Sequence, residues 1–273
     1  MIMKLCFALI AALIVEATAY AQDAERIEMT LGDVYSATWS LDQGLTEYPQ
    51  IRSSLRAAEL DILDEFANLA VSDHKDWMLE SPEWSWNAYF IDITVETAFS
   101  GRGIISLVRT GHVYTGGAHP NQSVSAVLTR VESYRPVGLA ELFSDTSVDS
   151  PAMTALFYAV YRELMALKRV RLGSDFDETM ERDTWLSPLA ANLEAFPDFS
   201  LIPNETGEAA AGLMFHFEPY AVGSYAEGGY DVVVPLSVFD RYLAPDWTEA
   251  FEGQPLQEVL TEPGDALEPI IPE

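Results

Sequence analysis

The folded part of this sequence has no cysteine. The only one, Cys6, falls in an apolar leader, so a disulfide framework, a thiol nucleophile and a cysteine-bound metal are all excluded. Bases are scarce as well. Fifteen Lys and Arg stand against 43 Asp and Glu, a formal charge of −28. That balance excludes a surface built for nucleic-acid phosphates and disfavours adsorption to anionic lipid. No apolar run reaches the roughly 20 residues of a membrane span. The familiar catalytic signatures are missing too: there is no Gly-x-Ser-x-Gly elbow, no His-Glu-x-x-His pair and no phosphate-cradling Gly-x-x-x-x-Gly-Lys loop. What the chain does have is apolar material, with 49% hydrophobic residues including 13 Phe, 12 Tyr and 6 Trp. That is ample for a packed core and excludes general disorder.

Residues 1–21 read as a secretory signal. Lys4 supplies the positive end, residues 5–15 the apolar stretch, and Ala19-Tyr20-Ala21 the small-x-small site after which signal peptidase cuts. Cleavage after Ala21 predicts a periplasmic or secreted protein with no membrane span in its mature form.

Periodicity predicts an α+β fold, antiparallel sheet packed against a few helices, in two halves that share one core. The N-terminal half, residues 22–136, opens with a strand carrying Ile27, Met29 and Leu31. Ile51, Leu55, Ala58, Ile62, Phe66 and Leu69 then recur at steps of three and four, which predicts a helix over residues 51–69. Its wet side carries Arg52, Arg56, Glu59, Asp61 and Glu65. Alternation from Tyr89 onward predicts a strand meander over residues 88–133, turning first at residues 100–103.

The C-terminal half, residues 137–247, starts its main helix at Ser150-Pro151, a cap followed by proline. Lys168, Arg169 and Arg171 gather at the other end, where the helix dipole favours positive charge. A shorter helix is expected over residues 187–195. Strands follow at residues 199–202, 212–218 and 230–235, then a brief helix at 237–243. Residues 248–273, acidic and proline-rich, read as a disordered tail.

Four histidines are present: His74, His112, His119 and His216. His112 and His119 stand seven apart across a turn, a spacing compatible with zinc, but structural roles account for them better and no metal is assigned. Asp175, Asp177, Thr179 and Glu181 alternate like a calcium loop. Met180 occupies the position that needs glycine, so a solvated acidic loop is the better reading. Trp77, Trp84 and Trp86 suit a sugar platform or, better, packing. No cofactor is implied.

The least random segment is Tyr114-Thr115-Gly116-Gly117-Ala118-His119-Pro120-Asn121. Its glycines permit positive φ, and the proline holds His119 extended. A second such segment runs Phe217-Glu218-Pro219-Tyr220-Ala221-Val222-Gly223-Ser224-Tyr225-Ala226-Glu227-Gly228, with Asp231-Val232-Val233-Val234-Pro235 behind it. The candidate binding or loop-locking residues are therefore Tyr114, Gly116, Gly117, His119, Pro120, Asn121, Tyr220 and Tyr225.

These two segments, with Tyr48-Pro49 before the first helix, Leu139-x-x-Leu142-Phe143 and Phe196-Pro197-x-Phe199, resemble one extracytoplasmic domain family of unknown function. It occurs in the anti-sigma factor RsiV and beside the catalytic domain of the deacetylase PdaC. The resemblance covers residues 47–244. The sigma-binding segment and the deacetylase domain have no counterpart here. What the resemblance implies is a binding or sensing module: RsiV binds lysozyme, so the expected partner is a basic wall-active protein or a cell-wall glycan. A peptidoglycan-modifying hydrolase using His119 and a carboxylate is the alternative, and binding is favoured over catalysis.

Overall fold

A computed structural model describes residues 14–15, 25–81 and 83–256. The leader, apart from Ile14 and Val15, and the tail beyond Leu256 lie outside the described residues. The fold is α+β. One sheet runs in sequence order: a two-residue stub β1 (Ile14–Val15), then β2 (Glu25–Leu31), β3 (Tyr35–Leu41), β4 (Tyr89–Gly101), β5 (Ile104–Tyr114) and β6 (Asn121–Arg130). The other holds β7 (Phe199–Pro203), β8 (Ala210–Phe217) and β9 (Tyr230–Pro235), paired antiparallel in that order. The meander is thus present, and Arg102 and Gly103, both at positive φ, make its first turn.

The described residues group into two compact units, neither bounded at residue 136. One holds the chain up to Thr94 together with Gly111–Asn121; the other holds Val95–Thr110 and the chain from Gln122 onward. The division runs through the long strands because Phe99, Ile104 and Leu128, from the middle of the meander, belong to the core built on the second sheet.

In the first unit, α1 (Pro49–Glu80) packs on β3. It has 32 residues, about 48 Å at 1.5 Å each, and so is far longer than the expected 51–69. Proline at its first turn starts it, and no glycine or proline follows until Pro82. The buried face also differs from expectation. Glu59, Leu63, Phe66, Ala67 and Ala70 turn inward, whereas Ile62 and Leu69 are 38% and 48% exposed. Small side chains explain the choice, since Ala67 and Ala70 let the helix approach the sheet while Phe66 meets the Tyr35 ring edge-on at 6.3 Å. Arg52 and Arg56 tie the first turns to Glu25 of β2 at 2.8 and 3.2 Å.

In the second unit, α2 (Pro151–Leu172) packs on β9, burying Leu156, Val160 and Leu164 among Leu213, Phe215, Val232 and Val234. Its start is as expected: the Ser150 hydroxyl accepts the Met153 N–H at 3.3 Å, with Pro151 next. Arg169 and Arg171 occupy the last turn. Two expectations are corrected here. Residues 187–195 form only a 3-10 turn, Leu193–Ala195. Residues 248–256 are ordered rather than part of a tail, because Phe251 is buried edge-on against Phe239 and the Glu252 N–H donates to the Ala210 carbonyl.

One carboxylate on α2 is a liability. Burial pushes the Glu163 carboxyl up, against the opposing pull of Arg162. The native state therefore favours the protonated form, and stability is lost as pH rises through the folded value. Glu163→Gln is expected to raise the melting temperature at pH 7 by about 1–3 °C, with the advantage over wild type vanishing in acid. Calorimetry at pH 7 and pH 4 checks this.

Candidate functional site

Each candidate segment is positioned by its own unit. In the first, β5 delivers Tyr114, and the chain turns through Gly116 at φ +90°. Glycine is needed there twice over: a Cβ would meet the Tyr89 ring at 3.3 Å. Tyr89 is fixed from below, its hydroxyl 3.2 Å from the Asp73 carboxylate on α1. Burial, with Asp73 beside it, holds the Tyr89 phenol above its ordinary range. Trp86 stacks on Tyr89 at 4.5 Å and donates its indole N–H to the Val34 carbonyl at 3.0 Å. Its edge meets His74 and Trp77. Phe90 stacks on Tyr114 at 5.8 Å.

The result is an open cleft of about 460 Å³ whose walls include Trp86, Asn87, Phe90, Tyr114, His119 and Pro120. Tyr114, His119 and Pro120 thus come together. Gly116 and Gly117 shape the loop, and the exposed Asn121 begins β6. His119 is exposed, its Nδ1 2.9 Å from the Pro120 carbonyl. Among the described residues no group of three His, Cys, Asp or Glu is arranged to hold a metal.

In the second unit, Tyr220 and Tyr225 pack ring on ring at 5.5 Å, with Tyr220 at φ +74°, a costly conformation for a residue with a Cβ. Their loop is anchored by a group the sequence did not reveal. Lys168, expected with Arg169 and Arg171 as a charge suited to the dipole at the helix end, is fully buried (0% exposed). Its ammonium donates to the Val222 carbonyl at 2.8 Å and to the Glu227 carboxylate. Glu227 also accepts the Ser224 N–H at 2.7 Å and the Tyr230 hydroxyl at 2.8 Å.

Glu181, expected in a solvated acidic loop, is buried instead and opens a π-helical turn, Glu181–Trp185. Its Oε2 lies 2.9 Å from the Lys168 ammonium without hydrogen-bond geometry, so that attraction is Coulombic. Arg171 covers the Tyr230 ring at 3.9 Å and donates to the Glu227 and Gly229 carbonyls, both at 2.7 Å. Burial works to raise the Glu227 carboxyl, but bonds from Lys168, Ser224 and Tyr230 outweigh it and hold the group low. The Tyr230 phenol is raised strongly, by burial first and then by Glu227. The motif residues Gly223, Ser224 and Glu227 serve this anchor. Only the placement of a lysine mid-face on a helix otherwise rich in Leu, Ala and Met hinted at it.

A second arrangement escaped sequence reading because its members sit on three strands. Ser200 Oγ lies 2.9 Å from His216 Nε2, and His216 Nδ1 lies 2.8 Å from Asp231. The order is that of a hydrolytic triad, but the burial is reversed. Ser200 is 2% exposed and the Asp231 side chain 64% exposed, whereas a nucleophile must face the substrate and its aspartate lies inside. The chain of bonds straps the three strands together.

No family model matches the chain, and no curated protein matches it. Solved structures do. A crystal structure of a DUF3298 family member from Bacteroides fragilis superposes with a TM-score of 0.54 at 15% identity, over 87% of this chain and 96% of that one. The fold is shared with a DUF3298 protein. A second protein of that family, from Pseudomonas aeruginosa, is similar at a TM-score of 0.44 and 10% identity, over 88% and 97% of the two chains. DUF3298 denotes a domain of unknown function, so the likeness concerns the fold and leaves the chemistry to the residues.

Proposed function

We propose that the chain is an exported cell-envelope binding module whose aromatic cleft receives a glycan fragment of the wall. The cleft carries the reading: Trp86, Phe90 and Tyr114 offer ring surface suited to the C–H faces of pyranoses, and Asn87 and His119 add hydrogen-bonding groups at its edge. The lining residues include no carboxylate. Glycoside hydrolysis calls for two such groups, so binding is favoured over catalysis by His119. The RsiV-like motifs support an extracytoplasmic sensing role. The charge of −28 favours a second reading, a basic wall-active protein of the lysozyme kind drawn in by long-range attraction.

Calorimetric titration with a peptidoglycan disaccharide and, separately, with lysozyme over a salt series tests both. Trp86→Ala and Tyr114→Ala are each expected to weaken disaccharide binding by about fivefold to tenfold, with Tyr114→Ala leaving the melting temperature nearly unchanged. Absence of saturable disaccharide binding, or wild-type affinity in both variants, overturns the glycan reading. Lysozyme binding at low salt that survives both substitutions establishes the protein partner instead.

A further inference from the structure

The second unit holds a cleft of its own, about 550 Å³, lined by Arg130, Arg135, Glu141, Phe143, Asp246 and Trp247, with Ala140 and Ala244 completing the wall. Its two arginines are in different situations. Arg135 is spoken for: its guanidinium donates through both terminal nitrogens to Glu141. Glu141 is held by that arginine and by the Gly138 N–H at 3.2 Å, which keeps its carboxyl below the usual range. Arg130 is positioned but not consumed. Its guanidinium carbon lies 4.2 Å from the centre of the Trp247 ring, and one Nη donates to the Asp246 carbonyl at 3.1 Å. Of the five N–H groups in that fork, the other four meet no acceptor among the described residues.

In a chain with 43 acids and 15 bases, an oriented guanidinium that hydrogen-bonds no carboxylate is conspicuous; Glu141, bonded to Arg135, feels the Arg130 charge without a bond to it. Trp247 is buried, and its ring contact together with the Asp246 bond restrains the guanidinium, so the fork has less rotational freedom to lose on binding. We infer that this cleft binds the free C-terminal carboxylate of a short peptide with small apolar side chains. The planar carboxylate matches the Arg130 fork in a two-bond arrangement. Ala140, Ala244 and Phe143 make part of the adjoining wall apolar, which suits small apolar side chains. The Arg135–Glu141 pair borders the cleft, and because the Glu141 and Asp246 carboxylates there oppose an anion, the two-bond contact with Arg130 has to outweigh them.

The test titrates the full chain with acetyl-Ala-Ala in its L,L and D,D forms, with the C-terminal amide of each, and with inorganic phosphate. One stereoisomer of the free acid is expected to bind saturably, and its amide at least about tenfold more weakly. Arg130→Gln is expected to cause a similar loss, and Arg130→Lys not to restore it, because an ammonium lacks the fork. Ala140→Phe, made at an exposed position, fills the cleft and provides a second variant should Arg130→Gln perturb folding. The inference is overturned if no free acid binds at millimolar concentration, if amide and acid bind alike, if phosphate binds better than either peptide, or if Ala140→Phe leaves affinity unchanged. Failure here leaves the glycan reading standing, since that reading uses other residues and another probe.

Discussion

Lys168→Met is expected to destabilise the second unit by about 3–5 kcal/mol, enough to move the thermal midpoint by about 10 °C. Methionine is close to lysine in length, so little volume is lost and the effect isolates the charge. In the native protein one ammonium sits between two buried carboxylates, Glu227 and Glu181, and also satisfies the Val222 carbonyl. Removing it leaves both acids in a low-dielectric interior with no counter-charge. Such groups respond by taking up protons or by drawing water in, and either response loosens the loop that carries Tyr220 and Tyr225. Replacing the acids in the same background, Glu181→Gln with Glu227→Gln, is expected to recover much of the loss, because the cost lies in the orphaned charges. Urea unfolding of the wild type and of both variants at pH 7 is the measurement. A single Lys168→Met chain with wild-type stability would refute a buried cluster.

The same cluster sets the response to pH. Glu227 titrates below its unfolded value of about 4.3, so its contribution is present above that pH and is lost as pH falls through the folded value. The Tyr230 phenol is shifted the other way. Its folded value is above the ordinary value of about 10, so its contribution is complete below that pH and is lost as pH rises beyond it. For the cluster's own contribution a plateau between these limbs is expected, and Glu227→Gln should flatten its acid limb.

The elements that read well from sequence were those in which a local rule and the tertiary environment agree. Ser150-Pro151 started a helix because cap and proline act within four residues, and the meander followed from alternation that any half-buried sheet requires. β3 carried the same signal, Tyr35, Ala37, Trp39 and Leu41 at alternate positions, yet was not among the expected strands. The face of α1 was misassigned for a different reason. Two periodic stripes compete on that helix, and hydrophobicity favours the one with Ile62 and Leu69, whereas close approach to the sheet favours the one with Ala67 and Ala70. Candidate-site legibility divides in the same way. The Gly-Gly and proline signature located the loop of Tyr114 and His119, whereas Phe90 joins the cleft through its stack on Tyr114, and Trp86, read chiefly as packing, both stacks on Tyr89 and lines the cleft. Lys168 and Glu181 were hidden because a charge is read as solvated unless its partner is known, and Glu227 lies 59 residues from Lys168.

Gly223→Ala is expected to cost about 2–3 kcal/mol, although the residue lies on a loop and its φ is not in the left-handed region. The reason is the anchor. A Cβ at Gly223 would stand 2.6 Å from one Glu227 carboxylate oxygen and 2.8 Å from the other. A free glutamate would swing aside at little cost. This one is pinned by Lys168, Tyr230 and the Ser224 N–H, so the methyl group evicts it from charge-assisted bonds that burial makes expensive to leave unmade. The explanation predicts strong non-additivity. In a Glu227→Ala background the carboxylate is gone, and Gly223→Ala should cost less than about 0.5 kcal/mol. A cost that is equal in both backgrounds would place the penalty in the backbone of residue 223 and detach the glycine from the lysine. The expected coupling instead makes the second sequence motif legible as one physical unit. Gly223 leaves room for Glu227, Ser224 and Tyr230 aim it, Lys168 neutralises it, and the strained Tyr220 is displayed from the loop so fixed.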